Sequence, residues 1–212
     1  FKGRDRFGGQ IVHPQHWPED LDYTDKRVVV IGSGATAVTL VPSMVEKAAH
    51  VTMLQRTPTY IAAVPAVDPL ADVLRRVLPA PAAYSILRWK NWLNLHLRYT
   101  LSRNKPDMVR AKIRQDAIKL LPAGYDVDTH FNPPYNPWDQ RMCAVPDGDL
   151  FTALRGGKAA IATGGTRTFT EDGINLESGE HLPADIIVTA TGLNLQWLGG
   201  MTLIVDGEKV NV

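Results

Sequence analysis

The most constraining feature of the chain is a glycine-rich turn between a β-branched run and a helical pattern. Arg27–Ile31 reads RVVVI, a continuous apolar run typical of a strand buried on both faces of a parallel sheet. Six residues follow directly: Gly32, Ser33, Gly34, Ala35, Thr36 and Ala37. Apolar residues then recur at helical spacing over 38–49, and a second short strand is predicted at 51–54. Strand, turn, helix and strand within about 30 residues predict one βαβ unit.

This turn has the residue pattern of a dinucleotide-binding site. The first glycine, Gly32, makes the tight turn, and the second, Gly34, lets a pyrophosphate approach the backbone. The small residue Ala37 lets the helix pack closely on the strand, and the free N–H groups of the helix N-terminus favour an anion. The alternative is a Gly-rich turn of another α/β fold, such as a methyltransferase. No second motif of this kind occurs, so we expect one dinucleotide site.

The residues after the second predicted strand bear on which nucleotide binds. NAD-binding proteins place Asp or Glu there, on the ribose 2′-hydroxyl, whereas this chain has Gln55, Arg56 and Thr57. A guanidinium offers a planar fork that suits a 2′-phosphate, which a carboxylate would repel, and Thr57 adds a hydroxyl donor. The sequence therefore predicts NADPH rather than NADH. The alternative is that Arg56 is only a solvated residue at a strand end.

The remaining patterns predict an α/β fold, a Rossmann-like NADP-binding domain with an inserted helical subdomain. Runs of buried type at 158–163 and 185–189 can join the first two strands in one mixed sheet around a parallel βαβ core, and 167–177 is predicted to form a small β-meander. Helices are predicted over 82–102, with Ile86, Trp89, Leu93 and Leu97 on one stripe, over 107–121 and over 147–156. Loops are predicted over 58–69 and 122–148, which are rich in proline.

Charge is distributed unevenly along the chain. The 212 residues carry 23 Lys and Arg against 22 Asp and Glu, a net charge of +1 that gives no reason to expect nucleic acid as a partner. Residues 70–121 hold eleven basic residues and three acidic ones, a net charge of +8, which leaves −7 for the remainder. We expect solvated basic faces around an apolar stripe containing Trp89 and Trp92. We expect a cytoplasmic protein, and the alternative for these faces is peripheral contact with an anionic membrane.

A long aromatic and histidine pattern precedes the glycine-rich turn. Its fixed positions are Phe7, Gly9, His13, Trp17 and Pro18. This pattern resembles the fingerprint of Baeyer–Villiger monooxygenases within the flavin-containing monooxygenase family. The stretch 136–141 and the Ala190-Thr191-Gly192 triplet resemble the mycobacterial branch that includes the ethionamide-activating enzyme. The resemblance covers essentially the whole chain, but only the NADPH-binding part of such a protein.

The resemblance implies roles for individual residues. The turn from Gly32 to Ala37 would hold the NADPH pyrophosphate, Arg56 and Thr57 would hold the 2′-phosphate, and Thr191 and Gly192 match a closing cofactor-binding segment. Arg141 would lie at the flavin and stabilise the negatively charged C4a-peroxyflavin, because a fixed cation beside a developing anion is strongly stabilising. Gln140 departs from the family, which often has Lys there to bind the phosphate. The fingerprint residues would couple the FAD and NADPH domains.

Three other side chains have competing interpretations. His13 and His16 have a spacing that could share a metal, but no nearby Cys or carboxylate completes a site, so we expect no metal. Cys143 is the single cysteine, which excludes an internal disulfide and a CxxC redox pair. No histidine in its loop could activate it as a nucleophile, so we expect a small packed residue.

The leading hypothesis is the NADPH-binding portion of an FAD-dependent monooxygenase, acting on a lipophilic ketone or a thio-compound. The alternative is a stand-alone NADP(H)-binding module without catalysis. We expect this portion alone to be inactive and free of flavin. The predicted division is a fingerprint segment (1–24), the two halves of the NADPH-binding domain (25–67 and 136–195), the helical insertion with its loop (68–135), and the start of the return to an FAD domain (196–212). The missing N-terminal Met leads us to expect a piece of a longer protein.

Overall fold

The computed structural model of the chain describes residues 1–210, apart from the side chains at positions 197 and 198. The strands are β1 (Gln10–Val12), β2 (Arg27–Ile31), β3 (His50–Gln55), β4 (Tyr60–Val64), β5 (Met142–Pro146), β6 (Ala159–Thr163), β7 (Thr166–Thr170), β8 (Gly173–Leu176), β9 (His181–Pro183), β10 (Ile186–Thr189), β11 (Ile204–Val205) and β12 (Glu208–Lys209). The helices are α1 (Ala35–Met44), α2 (Pro69–Val77), α3 (Ala80–Asn104), α4 (Pro106–Leu120), α5 (Val127–Phe131) and α6 (Asp149–Arg155).

The central sheet has five strands in the order β1-β10-β2-β3-β6, and every neighbouring pair is parallel. The four predicted strands are confirmed, but the mixed arrangement is wrong. Counted from β2, the order β6-β3-β2-β10 is the 3-2-1-4 order of a Rossmann fold. The α/β class with a parallel sheet is therefore confirmed.

Each face of the sheet is covered by its own hydrophobic core. Along β2, Val28 and Val30 belong to one core with α1, α5 and α6, whereas Val29 and Ile31 belong to the other. This division follows from the alternation of side chains along a strand. The second core is closed by the three-stranded antiparallel meander β7-β8-β9, of which β9 was not predicted.

The predicted proline-rich loops contain regular structure. The segments predicted as loops at 58–69 and 122–148 supply β4 and β5, which pair in parallel with each other, and α5. The pairing joins Tyr60 to Met142 across the whole insertion, so no local pattern indicates it. Asp126 caps α5 by accepting from the N–H of Thr129 at 3.0 Å. Gln55 then docks α5 on the sheet by donating from Nε2 to the carbonyl oxygen of His130 at 2.8 Å.

The helical insertion consists of α2, α3 and α4, which are interrupted at residues 78–79 and at Lys105. In α3 only Ala83 and Ser102 are buried. No helix in residues 1–210 combines the length and apolar character needed to cross a membrane.

Candidate dinucleotide-binding site

Gly32 follows β2 at the carboxyl edge of the central sheet, next to the end of β10. Its φ is 136°, and a Cβ built on it would lie 2.4 Å from the carbonyl oxygen of Ala190. Its N–H donates to the carbonyl oxygen of Leu54 at 2.8 Å, which joins the turn to β3. The strand order reverses between β2 and β10, and α/β sheets bind ligands outside the strand ends at such a point. Gly32 is therefore required by the close approach of two strand ends.

The first turn of α1 leaves an open approach to its N-terminus. Gly34 is the N-cap residue and has extended dihedral angles, with φ of −82° and ψ of −177°. It provides no side-chain cap, and a Cβ built on it meets nothing within 4 Å. Ala35 and Thr36 are exposed, whereas Ala37 is fully buried against the sheet. The free N–H groups of this turn therefore face open space, where a phosphate can approach them.

A cleft of about 480 Å³ lies at the carboxyl edge of the sheet. It brings together five predicted cofactor residues: Gly32, Ser33, Arg56, Thr57 and Thr191. In residues 1–210 the guanidinium of Arg56 forms no ion pair, so its charge is available to a ligand. Gly192 has a φ of 121° and is exposed just beyond Thr191. Gln140 is exposed in a separate turn and does not line this cleft.

The side chain of Ser33 fixes the turn to the loop that carries Thr57. Its Oγ lies 2.9 Å from Oγ1 of Thr59 and donates to the carbonyl oxygen of Thr57 at 3.4 Å. These contacts couple the glycine-rich turn to the residues that would hold a 2′-phosphate. The contribution of Thr59 has no signal in the sequence, because it depends on the path of the loop after β3.

The sequence did not predict the residues that form the other wall of the cleft. Gly164, Gly165, Thr166 and Glu177 line it from the end of β6 and the meander, together with Phe1. A Cβ on Gly165 would lie 2.4 Å from Oε2 of Glu177, so this carboxylate packs directly over the glycine. A carboxylate repels phosphate but accepts hydrogen bonds from hydroxyl and amino groups. The opposite wall therefore differs chemically from the wall formed by Arg56.

Arg141 lines a second, smaller cavity of about 230 Å³ on the other side of the α1 N-terminus. Ala35 and Thr39 of α1 and Trp138 line the same cavity. The structure thus places the candidate catalytic cation next to the helix that would hold the pyrophosphate, but not in the cleft of Arg56. Arg141 is exposed to solvent in residues 1–210 and is free to meet a ligand from outside.

Cys143 also lines this second cavity but is buried in the core. Burial raises the pKa of its thiol, and the nearby positive charge of Arg141 offsets this only in part. Its Sγ lies 3.8 Å from the carbonyl oxygen of Ser33. A buried thiol with a raised pKa is a poor nucleophile, which agrees with the expectation of a packed residue.

The loop before Arg141 is anchored to the helical insertion. Arg110 of α4 donates to the carbonyl oxygen of Tyr135 at 3.1 Å, to Oδ1 of Asn136 at 3.2 Å and to the hydroxyl of Tyr60 at 3.1 Å. The hydroxyl of Tyr60 in turn donates to the carbonyl oxygen of Tyr135 at 2.6 Å. The ion pair between Arg103 and Asp139, at 2.5 Å, adds a second anchor.

The fingerprint segment is docked on the edge of the central sheet. Phe7 is buried in an edge-to-face contact with Phe169, at 6.5 Å between ring centroids. Gly9 has no room for a side chain, because a Cβ would lie 2.1 Å from the carbonyl oxygen of Asp185. The residues between Gly9 and His13 form β1 and pair with β10. Gln10–Val12 within the segment is therefore an edge strand of the central sheet.

The second half of this segment approaches the end of β10. Nδ1 of His13 accepts from the N–H of Gln15 at 3.2 Å and so caps a short 3₁₀ turn over Pro14–His16. Trp17 packs against the larger core, whereas Pro18 is exposed. Among the described residues, no group of three or more His, Cys, Asp or Glu side chains is arranged to hold a metal ion.

The 3-2-1-4 strand order, the open N-terminus of α1 and the cleft at the switch point define a Rossmann-type dinucleotide-binding domain. The chain belongs to the flavin-binding monooxygenase-like family, which residues 1–117 match.

Two curated relatives have clear sequence similarity over the whole chain. The FAD-containing monooxygenase EthA of Mycolicibacterium smegmatis is 54% identical over 213 residues, which cover 100% of this chain and 43% of that protein. The probable FAD-binding monooxygenase AlmA of Acinetobacter baylyi is 52% identical over 212 residues, which cover 100% of this chain and 42% of that protein. The chain therefore spans less than half the length of these relatives.

The fold is also that of a solved monooxygenase structure. The structure of an oxidised steroid monooxygenase bound to NADP superimposes with a TM-score of 0.66 over 91% of this chain and 43% of that one, at 20% identity. At 20% sequence identity, this similarity shows a shared fold and nothing more.

Proposed function

We propose that this chain is the NADPH-binding portion of an FAD-dependent monooxygenase that oxygenates ketones or oxidises the sulfur of thio-compounds. The observation that carries the proposal is the cleft that joins the Gly32 turn to Arg56 and Thr57. Membership of the flavin-binding monooxygenase-like family supports the reaction class. The printed names of the relatives EthA and AlmA support FAD as the second cofactor.

The residues of the cleft fit NADPH. The open approach to Gly34 and the uncapped N–H groups of α1 suit a pyrophosphate. Arg56, which has no ion-pair partner in residues 1–210, suits a 2′-phosphate, with Thr57 as an added donor. Glu177 on the opposite wall is suited to accept from a ribose hydroxyl or an amino group. Bound NADPH would supply the hydride that reduces the flavin.

Arg141 is the candidate catalytic residue. In this proposal its guanidinium supplies a fixed positive charge at the flavin, where negative charge develops during oxygen transfer. Its place beside Ala35, at the start of α1, supports the idea that cofactor binding and the position of Arg141 are coupled. The anchors at Arg110 and Arg103 hold the loop that leads to it.

The fingerprint segment couples the two cofactor domains in this proposal. Its contacts with the end of β10 support such a role, because Thr189 donates from Oγ1 to the carbonyl oxygen of Val12 at 3.2 Å. The division of the chain into its segments, and the FAD domain expected to follow 196–212, are parts of the same proposal. The chain alone is then inactive as an oxygenase and binds no flavin.

Calorimetric titration of this chain with NADPH and with NADH tests the cofactor assignment. We expect the chain to bind NADPH more tightly than NADH. Arg56→Ala should lower the affinity for NADPH by about tenfold or more and have little effect on the affinity for NADH, because only NADPH carries the 2′-phosphate. Arg167→Ala is the matched control, since Arg167 is exposed on β7 and does not line the cleft. Equal affinities for the two nucleotides would contradict the proposal.

The catalytic role of Arg141 requires a flavin-loaded enzyme that contains this chain. Arg141→Ala should abolish oxygenation while NADPH still binds, and an unchanged oxygenation rate would remove Arg141 from the mechanism. A longer natural polypeptide that contains this chain, binds NADP(H) and carries no flavin would favour the stand-alone binding module.

A further inference from the structure

The wall of the cleft opposite Arg56 carries a carboxylate that the meander holds in place. Glu177 follows β8, and its N–H donates to the carbonyl oxygen of Gly165 at 2.8 Å, which ties the end of β8 to the turn after β6. Its side chain lies so close over Gly165 that a Cβ there would collide with the carboxylate group. The carboxylate of Glu177 therefore has a defined place at the edge of the cleft.

The protein leaves this carboxylate without a counter-charge. Glu177 and Arg56 line the same cleft of about 480 Å³, yet in residues 1–210 neither forms an ion pair with the other or with any other side chain. An ionised carboxylate only accepts hydrogen bonds, and it repels phosphate. A ligand group beside Glu177 must therefore be a hydrogen-bond donor, whereas an anionic group belongs at Arg56.

The order of the strand ends indicates which part of NADPH reaches this wall. The turn at Gly32 follows β2, Arg56 follows β3, and Gly164 and Gly165 follow β6, so three neighbouring strands of the sheet end side by side. In Rossmann sites the pyrophosphate lies at the turn after the first strand, and the adenosine ribose lies at the end of the second. Adenine is the next group of the nucleotide in this direction, and it therefore meets the end of β6.

The surface at the end of β6 suits a planar base. Gly164 and Gly165 place no side chain there, and Phe1 lines the same cleft. The ring of Phe1 stacks on that of Phe169 with 5.1 Å between centroids, and Phe1 is 55% exposed. Purine bases stack favourably on aromatic rings, whereas a ribose hydroxyl gains nothing from such a surface. These features favour the base over the ribose as the group that Glu177 contacts.

We propose that Glu177 accepts a hydrogen bond from the 6-amino group of adenine and so makes the cleft selective for adenine nucleotides. This amino group is the exocyclic donor of adenine, and a base with a carbonyl oxygen at the same position would set two acceptors against each other. The inference rests on the proposed binding of NADPH in this cleft. Arg56 and Glu177 then orient the nucleotide together, because Arg56 attracts the 2′-phosphate while Glu177 repels it and holds the base.

An analogue of the cofactor tests this contact. Reduced nicotinamide hypoxanthine dinucleotide phosphate has a carbonyl oxygen in place of the 6-amino group and keeps the 2′-phosphate, the pyrophosphate, both riboses and the nicotinamide. In calorimetric titrations we expect this chain to bind NADPH about tenfold more tightly than the analogue, because the analogue loses a hydrogen bond to a charged acceptor. The two nucleotides differ only in the base, so the ratio of their affinities reports on the base alone.

Glu177→Gln removes the charge of this acceptor and keeps its shape. A glutamine amide both accepts and donates hydrogen bonds, so it can serve either base, and the tenfold ratio should fall towards one. Glu180→Gln is the matched control, because Glu180 is exposed in the same meander and does not line the cleft. It should keep the ratio of the unchanged chain. Circular dichroism and thermal unfolding verify that both variants are folded.

The outcomes separate this inference from the cofactor assignment. Failure of the unchanged chain to bind NADPH would overturn both. Binding of NADPH with equal affinity for the analogue would overturn the contact with the amino group and leave the cofactor assignment standing. Equal losses of affinity for both nucleotides in Glu177→Gln would also overturn it, since the carboxylate would then contact a group that they share, and equal gains would show that it only repels phosphate. An equal fall of the ratio in Glu180→Gln would show that net charge rather than contact sets the ratio.

Discussion

Arg110 in the helical insertion and Tyr135 in the loop before Arg141 are joined by a hydrogen bond of 3.1 Å. The guanidinium of Arg110 also contacts Tyr60 in β4 and Asn136 beyond Tyr135. One side chain thus ties the insertion to the sheet and to the loop that carries the candidate catalytic cation. The insertion is therefore a structural support of the candidate site.

Arg110→Met should loosen this loop while keeping most of the side-chain volume. The loss of three charge-assisted or polar contacts should lower the free energy of unfolding by about 1–3 kcal/mol, measured by urea denaturation. Hydrogen exchange should become faster over residues 132–141. Arg114→Met, on the same helix, is the control, because Arg114 forms an exposed pair with Asp128 and exposed pairs contribute little. Equal effects of the two changes would contradict a special role for Arg110.

The two glycines of the turn should respond differently to alanine. Gly32→Ala places a Cβ at a φ of 136° and 2.4 Å from a carbonyl oxygen, so we expect a loss of about 2 kcal/mol or more in stability. Gly34→Ala meets no atom within 4 Å and has an ordinary φ. It should leave the fold intact and weaken the binding of NADPH, because the added methyl group would stand in the proposed pyrophosphate site.

NADPH titration of Gly34→Ala tests where the pyrophosphate binds, and thermal unfolding of Gly32→Ala tests whether the turn requires glycine. If Gly34→Ala binds NADPH as tightly as the unchanged chain, the pyrophosphate does not lie at the α1 N-terminus. If Gly32→Ala is as stable as the unchanged chain, the turn can relax and the close approach of the strand ends is not a constraint.

The local parts of the fold and site were predictable from the sequence, and the long-range parts were not. The turn from Gly32 to Ala37 lies between a strand and a helix that are adjacent in sequence, so its environment follows from a short pattern. Arg56 and Thr57 follow from the next strand end. Glu177 reaches the cleft only because the meander folds back on the sheet, a contact that no spacing encodes.

The same reason explains the missed strands. The pairing of β4 with β5 spans the entire insertion, and each strand is only five residues long. β1 is a three-residue edge strand whose pattern is too short to show alternation. Such strands are formed by tertiary contacts rather than by local preference.

Cys143 should react slowly with thiol reagents in the folded chain. Burial raises the pKa of this thiol, so at pH 8 a smaller fraction is the reactive thiolate than in the unfolded chain. Because Cys143 is the single cysteine, the absorbance of the chromophore that a thiol reagent releases reports on this site alone. Arg141→Ala removes a charge that favours the thiolate and should slow the reaction further. Equal rates in buffer and in denaturant would contradict the buried position.

The ion pair between Arg27 and Asp185 should make stability depend on pH in the acid range. Nη2 of Arg27 lies 2.7 Å from Oδ1 of Asp185, and this partner lowers the pKa of the carboxyl group from 3.8 to about 2. A carboxyl group whose pKa is lowered by folding contributes stability above its unfolded value, and loses it as the pH falls from about 4 towards 2.

Asp185→Asn should therefore reduce the free energy of unfolding at pH 7 by about 1 kcal/mol, a modest value because both side chains are partly exposed. Urea unfolding over a series of pH values should show that the difference between the variant and the unchanged chain narrows as the pH falls below about 4. Asp128→Asn, at the exposed pair with Arg114, is the control and should give a smaller change. A difference that stays constant down to pH 2 would assign the loss to the hydrogen bond that Asp185 accepts from the backbone N–H of Arg27 at 2.8 Å rather than to its charge.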